Sequence, residues 1–234
     1  MKFIIIVISL FAVHHTNLND ELFNAVETRN IIELKSLLKN NPNLNIRNEH
    51  GDTLLVQCWF EMGFRKDEYE VAKLLIEHGA DPNFAAKDGT ILLNWAFFSL
   101  YYPGEEGFMN EDKKITRNIY GEKLVMLLLD SGSDINHKDN KGKGLIEWCY
   151  SAVNDYDRPI IDLLIQKGAD VNNLNLKGEN ILFKTIEYND LESFKYFVGK
   201  GAKYNIKNKK GKSLIKFARE NKRYEIEKFI MSLK

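Results

Sequence analysis

Pairs of large aliphatic residues recur along the chain, each placed three and four residues after a glycine. The glycines are Gly51, Gly89, Gly142, Gly178 and Gly211, and the pairs are Leu54-Leu55, Leu92-Leu93, Leu145-Ile146, Ile181-Leu182 and Leu214-Ile215. Thr53, Asn180 and Ser213 directly precede three of the pairs, and residues of these types cap helix N-termini well. Gly144 is a tolerable cap at the same place and Ile91 is a poor one. The pattern predicts a short helix after each glycine.

A second apolar run predicts a second helix in each copy. Leu74-Leu75-Ile76 ends three residues before Gly79, and Leu163-Leu164-Ile165 ends three residues before Gly168. Asn41 takes the place of this glycine in the first copy. Both residue types tolerate the left-handed conformation that ends many helices. Seven residues past each of the first set of glycines the side chain is compact, which predicts close contact between the two helices: Cys58, Ala96, Cys149, Thr185 and Ala218.

The copies keep a second landmark at a fixed offset. Six residues before each glycine of the first set stands an asparagine, namely Asn45, Asn83, Asn136, Asn172 and Asn205. The spacings between successive glycines are 38, 53, 36 and 33 residues. A constant offset within copies of unequal length is typical of a repeat array with insertions inside some repeats.

With these copies aligned, the chain resembles an ankyrin-repeat protein over residues 19–234. The predicted units are 19–46, 47–83, 84–136, 137–172, 173–205 and 206–234. The resemblance implies an all-α solenoid of stacked helix-turn-helix units with short β-hairpin connections, in a single domain. The T-P-L-H start of the family's first helix has lost its proline and histidine in every copy. Because proline pre-sets the first helical turn, this loss predicts a less stable array, not a different fold.

A long insertion in the third unit is one candidate contact surface. Measured against the usual period of 33 residues, the helix-to-helix connection is longer by 5, 20, 3, 0 and 0 residues in units two to six. Loops of this length are usually functional or disordered. The insertion, residues 101–121, offers aromatic and acidic contact residues: Tyr101, Tyr102, Glu105, Glu106 and Phe108. The alternative is a surface insertion without function.

The resemblance implies that the first helices and the hairpin tips form a concave, ligand-facing side. The candidate partner-binding residues at the tips are Phe84, Lys87, Asp88, His137, Lys138, Asn140, Lys141, Asn173 and Lys177. Trp95 and Trp148 share one register on the first helix, and Trp59 lies two positions further along its own copy. Because that register is the usual leucine position, core filling is favoured over a contact role for Trp95 and Trp148.

Charge is balanced overall and uneven along the chain. The sequence has 33 basic and 33 acidic residues, yet residues 195–234 hold 13 basic and 3 acidic ones. The array is therefore predicted to be a dipole along its long axis. The basic end supports a second function class, the binding of nucleic acid or of another anionic surface.

The N-terminus predicts export. Lys2 and the uncharged apolar run from Phe3 to Val13 resemble the first two regions of a signal peptide. A run of 11 residues is too short to cross a bilayer, which takes about 20. We therefore interpret residues 1–18 as a leader and expect a periplasmic or secreted protein of bacterial type. The small-x-small cleavage pattern is poor, so a segment packed on the first unit of a cytoplasmic protein is the alternative.

The sequence shows no catalytic pattern. Cys58 and Cys149 lie two repeats apart, about 20 Å at ordinary helix spacing, so no disulfide is expected between them. None of the 5 histidines has a partner at catalytic or metal-ligating spacing. The prediction is a non-enzymatic, monomeric module that binds another protein without cofactor or metal, as an inhibitor of the immunity-protein type or a secreted effector. An enzyme with its site in the insertion is the weaker alternative.

Overall fold

The protein is a stack of paired helices. A computed structural model describes residues 17–59, 65–99, 118–150 and 158–233. Its twelve helices in these ranges form six pairs along the chain: α1 (Leu18–Glu27) with α2 (Ile31–Leu38), α3 (Leu54–Gln57) with α4 (Lys66–Glu77), α5 (Leu92–Ser99) with α6 (Ile119–Asp130), α7 (Leu145–Cys149) with α8 (Arg158–Gln166), α9 (Ile181–Tyr188) with α10 (Leu191–Gly199), and α11 (Leu214–Glu220) with α12 (Tyr224–Ser232). The all-α repeat solenoid is confirmed.

The helix boundaries follow the predicted caps. Thr53, Asn180 and Ser213 each accept a hydrogen bond from a backbone N–H in the first turn of the helix that follows. Gly144 is the N-cap of α7 and contributes no side-chain bond. Asn17 caps α1, which begins at Leu18. Among the residues that end the second helices, Asn41 has a φ of 46° and Gly79 a φ of 92°, both in the left-handed region.

The first helices of successive units pack side by side and form an inner layer, and the second helices form an outer layer. α1, α3, α5 and α7 are consecutive neighbours in the inner layer, as are α2, α4 and α6 in the outer layer. The compact position is fully buried where Ala25, Ala96, Thr185 and Ala218 occupy it, and Cys58 is buried as well. Cys149 is only half-buried, and neither cysteine forms a disulfide. Burial raises the pKa of the Cys58 thiol well above its usual range, with Glu68 adding to the effect.

The asparagine landmarks tie each unit to the next. Asn136 Oδ1 accepts a hydrogen bond from the Asp170 backbone N–H at 2.8 Å, and its Nδ2 donates to the Gly168 carbonyl at 3.0 Å. Asn83 and Asn172 make the same pair of bonds to the units that follow them. Asn45 accepts from Asp81 N–H in the same way. The recurring asparagine is thus an inter-unit connector.

Polar side chains inside the stack add further connections between units. The Glu68 carboxylate in α4 is buried, and it accepts hydrogen bonds from Arg29 Nε at 2.5 Å and from the Arg65 backbone N–H at 3.0 Å. The Tyr150 hydroxyl donates to Asp190, the N-cap of α10, at 2.8 Å. Burial and this carboxylate raise the pKa of Tyr150 far above its usual range.

The unequal repeat lengths arise where the sequence places them. Residues 58–65, 100–118 and 150–157 separate the first and second helices in units two, three and four, whereas residues 189–190 suffice in unit five. The connections between units are tight turns with isolated bridges at Arg47–Thr53 and Lys207–Ser213, and the described residues contain no sheet. Residues 1–16 of the predicted leader, which was residues 1–18, lie outside the described residues, whereas Asn17 caps α1 and Leu18 begins it. Most of the 101–121 insertion also lies outside the described residues.

Candidate protein-binding surface

The hairpin tips form a continuous row along one edge of the stack. Each tip turn bonds to the tip before it: Lys87 N–H donates to Gly51 O, Asn140 N–H to Asp88 O, Leu176 N–H to Lys141 O and Lys209 N–H to Lys177 O, at 2.8 to 3.1 Å. In four of the turns, one side-chain oxygen accepts hydrogen bonds from two backbone N–H groups of the same turn. These oxygens belong to Asn48, Asp139, Asn175 and Asn208. The row is therefore held by main-chain bonds, and its side chains are presented at fixed positions.

Several of the predicted tip residues contribute to holding this row together. Asn140 Nδ2 donates to Lys87 O at 2.7 Å, and Asn173 Nδ2 donates to Gly142 O at 3.1 Å. His137 Nε2 lies 2.7 Å from the Gly89 carbonyl oxygen. Arg47 covers the ring of Phe84, with its guanidinium carbon 4.4 Å from the ring centre. These four candidates are at least partly structural.

The remaining predicted tip residues are exposed. They are Lys87, Asp88, Lys138, Lys141 and Lys177. Asp88 also accepts a hydrogen bond from the Thr90 N–H within its own turn. Tyr101, Tyr102, Glu105, Glu106 and Phe108 lie outside the described residues. The insertion leaves α5 at its C-terminal end, about 12 Å along the helix axis from the N-terminal end where the tip lies.

A row of three tryptophans crosses the inner layer. The ring centres of Trp59 and Trp95 are 4.6 Å apart, and those of Trp95 and Trp148 are 5.4 Å apart in an edge-to-face arrangement. All three side chains are half-buried. The expectation that Trp95 and Trp148 fill the core is therefore wrong in part. Both side chains keep some exposure to solvent, and their rings pack against each other across units three and four. Offset and edge-to-face contacts of this kind are favourable between aromatic rings.

The register of Trp59 in the sequence does not place it in this row. Counted along a regular helix, Trp59 lies two positions past the shared register of the other two tryptophans. However, α3 ends at Gln57 after a single turn, so Trp59 follows the helix and is not part of it. The early end of α3 is what lets its ring reach Trp95. The sequence signal that could have revealed this is the connection of unit two, which is longer than the repeat norm.

Charged side chains line the end of the tryptophan row. Lys143 Nζ lies 4.1 Å from the centre of the Trp148 ring, a cation–π contact. Burial lowers the pKa of Lys143, and burial raises the pKa of the neighbouring Glu147. Lys184 in α9 pairs with Glu187 at 3.6 Å. The surface thus changes from aromatic to mixed charge as it passes from unit four to unit five.

A second apolar feature lies beside the tips of units five and six. Leu174 and Leu176 in the tip of unit five are 47% and 61% exposed. A cavity of about 370 Å³ opens beside them, lined by Leu176, Phe217, Glu187 and the lysines of the two tips. Both leucines stand in the tip between the predicted contact residues Asn173 and Lys177, but the sequence did not single them out.

Other surfaces offer less specific chemistry. A cavity of about 510 Å³ lies along α6 in the outer layer, with Ile119 and Met126 in its lining together with Tyr69 of α4 and Leu163 of α8. No cluster of histidine, cysteine and carboxylate side chains within the described ranges is arranged to hold a metal ion. No helix in the part of the chain that the structure describes has the length and apolarity to cross a membrane.

Comparison with known proteins gives the fold a name. A chain of the complex between a predatory endopeptidase and an immunity protein from Bdellovibrio bacteriovorus superposes with a TM-score of 0.60, covering 92% of this chain and 98% of that chain at 20% identity. An ankyrin repeat domain from Acinetobacter baumannii gives a TM-score of 0.60 over 90% of this chain and 96% of its own, at 22% identity. A third solved ankyrin repeat protein matches with a TM-score of 0.60 and 20% identity.

The sequence comparisons agree with this result. An ankyrin repeat protein of Acanthamoeba polyphaga mimivirus is 29% identical over 139 residues, which are 58% of this chain and 15% of the relative. The chain therefore spans a small part of that relative. Comparison with protein-family profiles gives no match. The repeats, the paired helices and these likenesses show that the chain has the ankyrin-repeat fold.

Proposed function

We propose that this chain binds one partner protein along its inner layer and hairpin tips, with the tryptophan row Trp59, Trp95 and Trp148 as the centre of the contact and no chemistry of its own. The single observation that carries the proposal is that three stacked, half-buried tryptophans cross successive units on one layer. Tryptophan is the residue type most enriched among binding hot spots, and truncation of such a residue costs 2 kcal/mol or more.

The immunity-protein type of inhibitor is the role we favour within this class. The solved complex of an endopeptidase with an immunity protein supports it by analogy of fold alone. A secreted effector that docks on another protein remains the alternative. Residues 1–16 of the predicted leader lie outside the described residues, as do Tyr101, Tyr102, Glu105, Glu106 and Phe108. The export of the chain and the contribution of the insertion to binding therefore stay predictions.

Intrinsic fluorescence offers a direct test, because the chain has 3 tryptophans and all of them belong to the row. A partner captured from extract of the native host, once purified, is titrated into the chain while the emission is recorded. Docking on the row excludes water from the rings and shifts their emission to shorter wavelength. A partner that contacts only the outer layer leaves the spectrum unchanged.

Substitution separates the row from the rest of the surface. We expect Trp95→Ser to weaken binding of the purified partner by about thirtyfold or more, in line with about 2 kcal/mol for a hot-spot tryptophan, as measured by calorimetry. Ile32→Ser is the matched control, since Ile32 is 85% exposed on the outer helix α2. Equal affinity of the Trp95→Ser and Ile32→Ser variants, both folded by circular dichroism, would remove the row from the binding site.

A further inference from the structure

The tip of unit five carries leucines where the other tips carry small or hydrophilic residues. Two residues before the landmark glycine stand Glu49, Lys87, Asn140 and Lys209 in the other units, and Leu176 in unit five. Four residues before it stand Arg47, Ala85, Lys138 and Lys207, and Leu174 in unit five. Because the other tips fold without a large apolar residue at these two positions, packing of the repeat does not require the two leucines. Exposed apolar residues that the fold does not need often mark an interaction site.

Lysines with no acidic partner surround these leucines. Lys177, Lys209 and Lys210 are exposed, and no carboxylate among the described residues forms an ion pair with any of them. Lys212 differs, since it pairs with Glu220. The nearby acidic groups are already engaged: Glu179 is buried and accepts from Asn208 Nδ2 at 2.7 Å, and Glu187 pairs with Lys184. Among the residues that the structure describes, no ion pair therefore neutralises Lys177, Lys209 or Lys210.

The cavity between the two tips supplies an apolar recess next to these charges. Leu176 and the half-buried Phe217 are its apolar lining residues. Its polar lining consists of four lysines, one amide and the two engaged carboxylates: Lys177, Lys209, Lys210, Lys212, Asn208, Glu179 and Glu187. The ring of Phe217 rests edge-to-face on Phe183 at 5.2 Å, which fixes its position. At about 370 Å³ the recess can accept a large aliphatic or aromatic side chain.

We infer that this basic-apolar patch, formed by Leu176, Lys177, Lys209, Lys210 and Phe217, binds an acidic segment of a protein partner that inserts one apolar side chain into the recess. The inference rests on the proposed function, because it describes a second contact of the same protein-binding surface. Complementary charge steers association and fixes orientation. The leucines distinguish this surface from a nucleic-acid site, which needs cationic and hydrogen-bonding groups for the phosphates and gains little from an exposed aliphatic residue.

The test uses a labelled peptide of alternating glutamate and serine with one central phenylalanine, and the same peptide with serine in place of the phenylalanine. Fluorescence anisotropy with the full chain should show salt-sensitive binding of the first peptide and weaker binding of the second. We expect Leu176→Asn, which installs the residue of unit four, to weaken the first peptide by about tenfold, as burial of a leucine would predict. Lys209→Glu should weaken both peptides by about fivefold.

Lys228→Glu provides the matched control for charge. Lys228 is exposed in the same unit, and it lies on α12 in the outer layer. Its reversal changes the net charge equally and should leave peptide binding unaltered. Equal effects of Lys209→Glu and Lys228→Glu would mean that only the overall charge matters, and they would overturn the inference. So would peptide binding that is indifferent to Leu176→Asn.

Two further outcomes separate the competing interpretations. A labelled DNA duplex that binds more tightly than either peptide, with a steep salt dependence and no response to Leu176→Asn, would assign the patch to nucleic acid instead. With the purified partner, loss of binding in Trp95→Ser but not in Lys209→Glu would retain the proposed function and refute the acidic-segment inference. Loss of partner binding in Lys209→Glu but not in Trp95→Ser would retain the acidic-segment inference and refute the tryptophan row as the centre of the contact.

Discussion

At the scale of single residues, the landmark glycines differ in how closely neighbouring atoms approach their Cα atoms. Gly89 and Gly211 both have a left-handed backbone, with φ of 86° and 72°. A Cβ on Gly89 would lie 2.5 Å from the backbone nitrogen of Asn140 in the next tip, whereas a Cβ on Gly211 would meet nothing within 4 Å. The difference arises because no unit among the described residues follows the sixth. At both positions glycine is therefore needed for the left-handed backbone conformation. Of these two, only Gly89 is also needed because the next tip approaches it closely.

We expect Gly89→Ala to destabilise the protein more than Gly211→Ala. Both variants pay about 1 to 2 kcal/mol for a left-handed non-glycine residue. Gly89→Ala adds a clash with main chain that cannot move without losing the bond from Asn140 N–H to Asp88 O, and overpacking of this kind costs about 1 to 3 kcal/mol more. Urea denaturation followed by circular dichroism measures both values. Equal losses in the two variants would mean that the tips do not press together as described.

At the scale of elements, the sequence predicts where helices begin and end better than it predicts how they meet. The capping residues Thr53, Asn180 and Ser213 and the helix-ending Gly79 act locally, so their roles can be inferred from neighbours in the chain. The bonds of Asn136 reach the backbone of residues 168 and 170, and no local pattern specifies such a partner. The sequence shows that the asparagine recurs, and the structure shows what it connects.

The asparagine connectors permit a matched comparison. Asn136→Ala removes two inter-unit hydrogen bonds, one to Asp170 N–H and one from its own amide to Gly168 O. We expect a loss of about 1 to 2 kcal/mol in the free energy of unfolding. Asn205 stands at the same position in the last connection and makes no side-chain hydrogen bond within the described residues. Asn205→Ala should therefore change stability by less than about 0.5 kcal/mol, and a loss as large as that of Asn136→Ala would contradict the connector role.

The residues of the candidate site also fall into those that local sequence predicts and those that depend on contacts between distant parts of the chain. Exposed tip residues such as Lys141 and Lys177 were predictable, because a turn at a repeat boundary presents its polar side chains to solvent. The tryptophan row was not, since Trp59 joins it only because α3 stops after one turn. Leu174 and Leu176 lie inside a predicted tip, but the sequence alone could not single them out, because a leucine gives no sign of its exposure until its neighbours in space are known.

At the scale of the whole molecule, each unit buries its apolar residues only against its neighbours. The last unit covers unit five through two aromatic contacts, Phe183 with Phe217 at 5.2 Å and Phe194 with Phe229 at 6.0 Å. Phe183 and Phe194 are consequently almost fully buried. In a linear array the stability of one unit passes to the rest only through such interfaces. The strength of these interfaces therefore decides how cooperatively the stack unfolds.

Deletion of residues 209–234 should expose Phe183 and Phe194 and destabilise the whole array. Each phenylalanine contributes about 1.5 to 3 kcal/mol when buried, and the uncovered rings would also promote aggregation, to be measured by analytical ultracentrifugation. The 3 tryptophans lie in units two to four, far from the deletion. If unfolding is cooperative, the thermal transition seen by tryptophan emission falls together with the one seen by circular dichroism. A lowered transition by circular dichroism with an unchanged transition by tryptophan emission would mean instead that units two to four fold independently of the end. A soluble truncated chain with both transitions unchanged would show that the sixth unit does not cap the stack.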